Sequence, residues 1–285
     1  MHHTILIAHA RRSEYLRLCL ESLARSAAVC GLVPGDLEVL VLDHSGLGAV
    51  PGTLRAIHPA IRVLPDTAPV GEVFNKSRQL NRGLRLAAGE IVTVLDCDMI
   101  AGPRFLSCVR SLKDPLITRV CYRVRRLAEK QTLSLLACDS PAMVEAQLTA
   151  LRANHAAIAA LPCEFEGWRF PDRGRQEPAE QPWGNSQFSM RREDLAGLAF
   201  DEELAEGHGF EDVDFNRQVY ERFGEKYRGR FYGGADHSLL HLHHGPVAGW
   251  DDPARSQANL ARYRAKWDHR AADGSPLAPR RFAHP

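Results

Sequence analysis

Residues 90–99, Glu-Ile-Val-Thr-Val-Leu-Asp-Cys-Asp-Met, decide how this chain is read. An apolar run stops at two aspartates spaced i, i+2. In an extended segment that spacing turns Asp96 and Asp98 to one side and Leu95 and Cys97 to the other. An acidic turn closing a strand fits these residues. So does a seat for a divalent cation carrying a diphosphate.

Upstream, strand and helix signals alternate. Thr4–Ala8 reads as a strand and Glu14–Ala27 as a helix with Leu16, Leu20 and Leu23 down one side. Leu37–Leu42 is a continuous apolar run ended by Asp43, His44, Ser45 and Gly46, the pattern of a buried parallel strand and its turn. Ile61–Leu64 reads as a short strand, Pro65–Gly71 as a loop, and Val73–Ala88 as a helix closed by Gly89 before the strand Ile91–Leu95. This alternation predicts an α/β fold on a doubly wound, mostly parallel central sheet. Ligands are then expected beyond the carboxyl ends of the strands, where Asp43 and the Asp96/Asp98 pair fall.

Beyond residue 103 the rhythm changes. Leu116–Val124 reads as a strand and Thr132–Ala160 as largely helical; 162–187, with four prolines, reads as an irregular excursion over a binding site. Its Trp168 and Trp183 suit stacking on a ligand or anchoring of the loop. Gln187–Arg191 reads as a strand, Arg192–Leu198 as a short helix, and the last twenty residues as a frayed tail. The organisation expected is one domain over 1–265, with a nucleotide-binding half at 1–102, an acceptor-binding half at 103–250, and a tail at 266–285.

The chain has 285 residues, 45% apolar and 25% charged, with 36 Lys plus Arg against 35 Asp plus Glu, so charge does not point to a nucleic-acid partner. Arg119, Arg123, Arg125, Arg126 and Lys130 cluster locally, as a solvated face or a phosphate-binding one. Seven cysteines without a C-x-x-C pair read as buried thiols of a reducing compartment. No apolar segment is long enough for export or anchoring. A cytoplasmic location is expected, with peripheral attachment at the cytoplasmic face of a membrane left open. The first strand lacks a G-x-G-x-x-G turn, and no G-x-x-x-x-G-K-S/T segment is present, which argues against a dinucleotide-binding oxidoreductase and a P-loop enzyme.

Two further clusters carry chemistry. In GHGFEDVDF, 207–215, a glycine-rich turn opens a helix with Glu211, Asp212 and Asp214 in its first turn. The helix macrodipole alone favours acids there. A carboxylate so placed also suits proton abstraction from an attacking hydroxyl. In HSLLHLHHGP, 237–246, strand alternation sets His241 and His243 on one face and Leu242 and His244 on the other. One imidazole joined to the Asp96/Asp98 carboxylates suits Mn²⁺.

Taken together, these residues resemble the GT-A glycosyltransferases of the broad family 2 type, with a C-terminal half similar to the β-1,4-galactosyltransferase and chondroitin-polymerase group. The resemblance covers roughly 4–245 and rests on FNKSRQLNRGLRLAAGEIVTVLDCDM, 74–99, and FDEELAEGHGFEDVDFNRQVYERFG, 200–224. It implies a GT-A fold with a smaller mixed C-terminal sheet region and a mobile active-site loop. It also implies polysaccharide-type biosynthesis by a metal-dependent, inverting hexosyl- or N-acetylhexosaminyltransferase. The cofactor is then Mn²⁺ or Mg²⁺, the donor a nucleotide-sugar, with UDP preferred, and the acceptor a hydroxyl on a saccharide, lipid-linked glycan or small molecule. Asp43, Arg78, Asn81 and Asp96 would border the nucleotide; Asp98, His241 and Asp96 would bind the metal, with His243 as the alternative. Asp212 would be the base, Glu211 an acceptor contact, and Trp183, Gly184 and Asn185 would line the donor–acceptor boundary. The chain departs from the family in Ala8-His9-Ala10-Arg11 at the first strand end and in Leu80-Asn81 where an Arg-Asn pair is usual. A non-catalytic sugar-nucleotide-binding scaffold and a nucleotidyltransferase are the competing readings.

Overall fold

A computed structural model describes residues 2–44, 57–66, 74–162, 186–204, 209–245 and 253–268. Its first half follows the apolar runs closely. Strands β1 (His3–His9), β2 (Leu37–Asp43), β3 (Ile61–Pro65) and β4 (Ile91–Asp96) pair in parallel, β1 lying between β2 and β4. Helix α1 (Ser13–Val29) and helix α2 (Lys76–Leu86) connect them. Side chains alternate across β1: Ile5 and Ile7 enter the core that holds Leu16, Leu20 and Leu23 of α1, whereas Leu6 and Ala8 enter the core that holds Leu80 of α2. Both faces are therefore dry here, which is why β1, β2 and β4 read as apolar runs, whereas β3 at the sheet edge is partly exposed. Gly89 is required between α2 and β4, because a Cβ there would lie 2.5 Å from the Thr4 backbone nitrogen.

The second half departs from expectation. The single doubly wound, mostly parallel GT-A sheet is corrected to two distinct sheets, one of seven strands in the order β3-β2-β1-β4-β8-β6-β9 and one of three in the order β5-β10-β7. In the larger, β8 (Phe188–Arg191) runs against both β4 and β6 (Arg119–Tyr122), and β9 (Gly229–Tyr232) is an outer strand parallel to β6. The smaller consists of β5 (Met99–Ala101), β7 (Val124–Arg126) and β10 (Leu239–His241), three residues each. The reason lies at the end of β4. Residues 97 and 98 form a turn, so the chain leaves the large sheet at Asp96 and starts β5 in another.

The expected strand 116–124 divides into β6 and β7. The expected helix 132–160 divides into α3 (Glu129–Leu136), α4 (Pro141–Ala153) and α5 (His155–Ala160), with Ser140 and Asn154 capping the second and third. The short helix α6 (Arg192–Leu195) follows β8, and α7 (Glu211–Phe223) follows the glycine turn. The basic cluster is no common face. Arg119 is buried, with its guanidinium on Asn216 and over the Phe188 ring, while Arg125 donates to the Leu161 carbonyl. A last helix, α8 (Pro253–Asp268), continues into the segment expected to fray from residue 266. Its Trp267 is buried and donates Nε1–H to Asp214 Oδ1 at 2.8 Å, so α8 is clamped to α7. No helix among the described residues is long and apolar enough to cross a membrane. Six described cysteines are free thiols, five of them buried.

Candidate active site

The site forms where β4, β5, β10, α2 and α7 meet. His241 pairs with Met99 across β10 and β5, which brings its ring beside Asp98. The strand ends there. Leu242 N–H donates to the Asp98 carbonyl at 3.0 Å, and His243 N–H donates to Thr132 Oγ1 at 2.8 Å. The chain therefore curls, and the expected alternation is reversed: exposed His243 faces away and His244 comes back to His241, their Nε2 atoms 3.2 Å apart. Asp98 Oδ2 lies 3.5 Å from His241 Nε2 and 3.4 Å from His244 Nε2. One ligand atom from each of the three falls within 4.8 Å of the others, a grouping that could hold a metal ion. Asp98 Oδ1 is buried without a hydrogen-bond partner. Such an orphaned oxygen fits a cation better than a purely structural carboxylate. One oxygen and two nitrogens also suit a borderline ion such as Mn²⁺. Burial works against the charge of Asp98, but hydrogen bonds from His241 and His244 and the charges of His241 and Arg12 hold its pKa well below the usual carboxylate range.

Asp96 stands outside this group. Its Oδ1 lies 2.7 Å from Lys76 Nζ, and its Oδ2 accepts from Ser186 Oγ at 3.0 Å and from the Gln187 side chain. The i, i+2 rule holds only within a strand; the turn at residues 97 and 98 rotates Asp98 out of register.

Lys76 spans from Asp96 to the acidic helix, 3.6 Å from Glu211 Oε1. Burial opposes its charge, yet Asp96 and Glu211 keep its pKa raised well above the ordinary lysine value. Phe210, in the left-handed region at φ 77°, and Gly209 at φ 99° shape the turn that delivers Glu211 and Asp212 to the start of α7. Burial and then the neighbouring Glu211 push Asp212 up to about 7, against the charge of Lys76. Asp212 Oδ1 accepts from Val213 N–H at 2.8 Å.

At the ends of β1 and β2, Asp43 and His9 are both buried, with Asp43 Oδ1 3.0 Å from His9 Nδ1. Arg78 reaches Asp66 at 3.4 Å; Asp66 also lies 2.6 Å from His44 Nδ1, and the His44 ring packs on Phe74. Asn81 is a buried clasp. It donates to the Phe200 carbonyl and to Glu202 and accepts from Phe200 N–H, binding α2 to the segment before α7. Trp183, Gly184 and Asn185 lie outside the described residues, as do Trp168 and most of the 162–187 excursion.

Sequence reasoning left open which of His241, His243 and His244 belongs to this cluster, and it missed Lys76 and Arg12 as members. Lys76 stands in the quoted 74–99 segment and Arg12 just beyond the first strand, but each is tied to the site by a counter-charge far away in sequence.

No family model matches the chain, and no curated protein matches it. Solved structures do. A glucosyl-3-phosphoglycerate synthase from Mycobacterium tuberculosis, solved with Mn²⁺, UDP and glucosyl-3-phosphoglycerate, is similar at 20% identity and a TM-score of 0.53, over 97% of this chain and 81% of that one. A mannosyltransferase from Pyrobaculum calidifontis, PcManGT, solved with GDP-Man and Mn²⁺, is similar at 19% identity and 0.55, over 98% of this chain and 66% of that one. S. aureus TarS is similar at 13% identity and 0.54, over 93% of this chain and 39% of that one. These likenesses correct the identification as a GT-A, family 2 chain with a galactosyltransferase or chondroitin-polymerase C-terminal half. What the chain shares with this synthase, mannosyltransferase and TarS is a fold, here built on two sheets.

Proposed function

We propose that this protein is a metal-dependent glycosyltransferase that moves a sugar from a nucleotide-diphosphate donor to a hydroxyl acceptor. The observation that carries the reading is that the Asp98–His241–His244 group stands two residues along the chain from Asp96, which Lys76 bridges to Glu211 at the start of the helix that also carries Asp212. The fold shared with a synthase and a mannosyltransferase that were solved with Mn²⁺ and nucleotides supports it. Mn²⁺ or Mg²⁺ held by Asp98, His241 and His244 would offset the charge of the departing nucleoside diphosphate.

The chain's own residues do the rest. Asp212 is the base: its raised pKa suits proton abstraction near neutral pH, and the start of α7 fixes its backbone. As Asp212 takes the acceptor's hydroxyl proton, that oxygen bonds to the anomeric carbon while the bond from that carbon to the diphosphate oxygen breaks with its electron pair. A single displacement inverts the anomeric centre and needs no enzyme nucleophile. Glu211 contacts the acceptor, and Lys76 bridges Glu211 to Asp96. Asp43, Asp66 and Arg78 border the nucleoside, with UDP the preferred donor class. The acceptor is a hydroxyl on a saccharide or a lipid-linked glycan.

Calorimetric titration of the chelator-treated protein with UDP, GDP, CDP and dTDP, each with and without Mn²⁺, tests the reading. Binding of one nucleotide that needs both Mn²⁺ and Asp98, and is lost in Asp98→Ala, is expected; transfer from the matching nucleotide-sugar should then be lost in Asp212→Asn. Failure of the folded protein to bind any of the four would overturn it.

A further inference from the structure

Arg12 stands at the turn after β1. Arg11 before it has φ 60°, in the left-handed region, and Arg12 N–H donates to His9 Nε2 at 3.3 Å, so the turn is anchored from below. From there the side chain crosses to the metal-binding group. Its Nη1 donates to Asp98 Oδ2 at 2.6 Å, and its Nη2 lies 3.2 Å from His244 Nδ1. The carboxylate oxygen it takes is the one that faces both imidazole Nε2 atoms.

The histidine makes the conflict sharper. A neutral imidazole carries one N–H, so an Nδ1 that accepts from Arg12 leaves the proton on Nε2, where it bars that nitrogen from binding a cation. With the proton on Nδ1 instead, Nε2 is free to ligate, and the Nδ1–H has a ready acceptor in the Gly245 carbonyl at 3.2 Å. That arrangement sets Nδ1–H against the Arg12 donor. Arg12 is 22% exposed, which gives the guanidinium a way out.

We propose that Arg12 is an internal cation that competes with the divalent metal for Asp98 and His244, so that metal loading requires the guanidinium to swing off. The inference rests on the metal-dependent reading above. Removing the competitor should therefore tighten metal binding, the reverse of what loss of a supporting residue would do.

The test is Mn²⁺ alone, titrated into the chelator-treated full chain by calorimetry and by the spin-resonance signal of free Mn²⁺. Arg12→Gln should bind Mn²⁺ about tenfold more tightly than the wild type, the worth of one charge-assisted hydrogen bond to the ligand oxygen. Mn²⁺ should also raise the Tm of Arg12→Gln by more than it raises that of the wild type. Arg12→Lys, which keeps the charge but loses the two-pronged donor, should fall between the two and serves if Arg12→Gln does not fold. Equal or weaker Mn²⁺ binding by the variant, with the wild type binding Mn²⁺ and Asp98→Asn abolishing it, overturns the competition and leaves the metal site standing. Absence of Mn²⁺ binding in folded wild type and variant alike overturns the metal-dependent reading and the competition with it.

Discussion

Replacing Lys76 by methionine removes one positive charge and little volume. Lys76 Nζ sits 2.7 Å from Asp96 Oδ1 and 3.6 Å from Glu211 Oε1, with only 13% of its side chain exposed. Breaking such a buried pair from one side typically costs about 3–5 kcal/mol, because it strands the opposite charge. Asp96 also keeps Ser186 and Gln187 as donors, so the lower end, about 3 kcal/mol, is expected. Urea unfolding at pH 8 measures it. Adding Asp96→Asn should recover part of the loss, since removing both partners is far cheaper than removing one. The same substitution acts on the base. The positive charge of Lys76 lowers the pKa of Asp212 against burial and Glu211, so in Lys76→Met the acid limb of kcat moves to higher pH. A Lys76→Met protein within about 1 kcal/mol of wild type, with an unmoved acid limb, would refute the electrostatic account of this bridge.

Other perturbations test separate parts of the structure. In the wild type, kcat should rise with pH through about 7 as Asp212 loses its proton, and Asp212→Asn should abolish the limb along with transfer. Asp212 also bears on stability: its folded pKa is raised, so its contribution is fullest below the ordinary aspartate value of 3.8 and is lost as pH rises through about 7. Asp212→Asn should then be more stable than wild type at pH 8 and flatten the slope of stability between pH 4 and 7, read by urea midpoints. Trp267→Phe deletes the donor to buried Asp214 but leaves Lys266 there; about 1–3 kcal/mol of stability should go, with kcat falling more than KM changes if α8 steadies α7. Gly89→Ala sets a Cβ 2.5 Å from a backbone nitrogen of β1 that cannot rotate away, and about 1–3 kcal/mol should be lost.

How much was legible in the sequence differs between the two halves for a physical reason. In the first hundred residues β1, β2 and β4 are buried along nearly their whole length and show as apolar runs; they and the partly exposed β3 lie within a residue or two of their expected ends. In the second half the strands are three or four residues long and pair with partners far away in sequence. Gln187–Arg191 announces β8, but periodicity does not resolve β6 from β7, nor say that residues 99–101 belong to another sheet than residues 91–96. Helix α8 was missed although Asn259, Tyr263 and Trp267 recur every four residues, because the stretch is otherwise polar and its buried stripe is narrow.

The site shows the same division with a sharper lesson. Carboxylates and imidazoles draw attention by type and spacing, and Asp98, His241, Glu211 and Asp212 stand out in the sequence for that reason. What spacing does not give is the partner that decides what each does. Asp96 and Asp98 are two residues apart, yet one is held by Lys76 and the other by Arg12, each a cation from the start of a different helix or the turn before it. A carboxylate held by an internal cation is less available to an external one, and both aspartates are held in this way; they differ in what else they meet. Asp96 also has Ser186 and Gln187 and is satisfied by the protein. Asp98 keeps one buried oxygen without a partner beside two histidines. That unmet buried oxygen beside two imidazoles is what sets Asp98, over Asp96, apart as the candidate carboxylate for a metal.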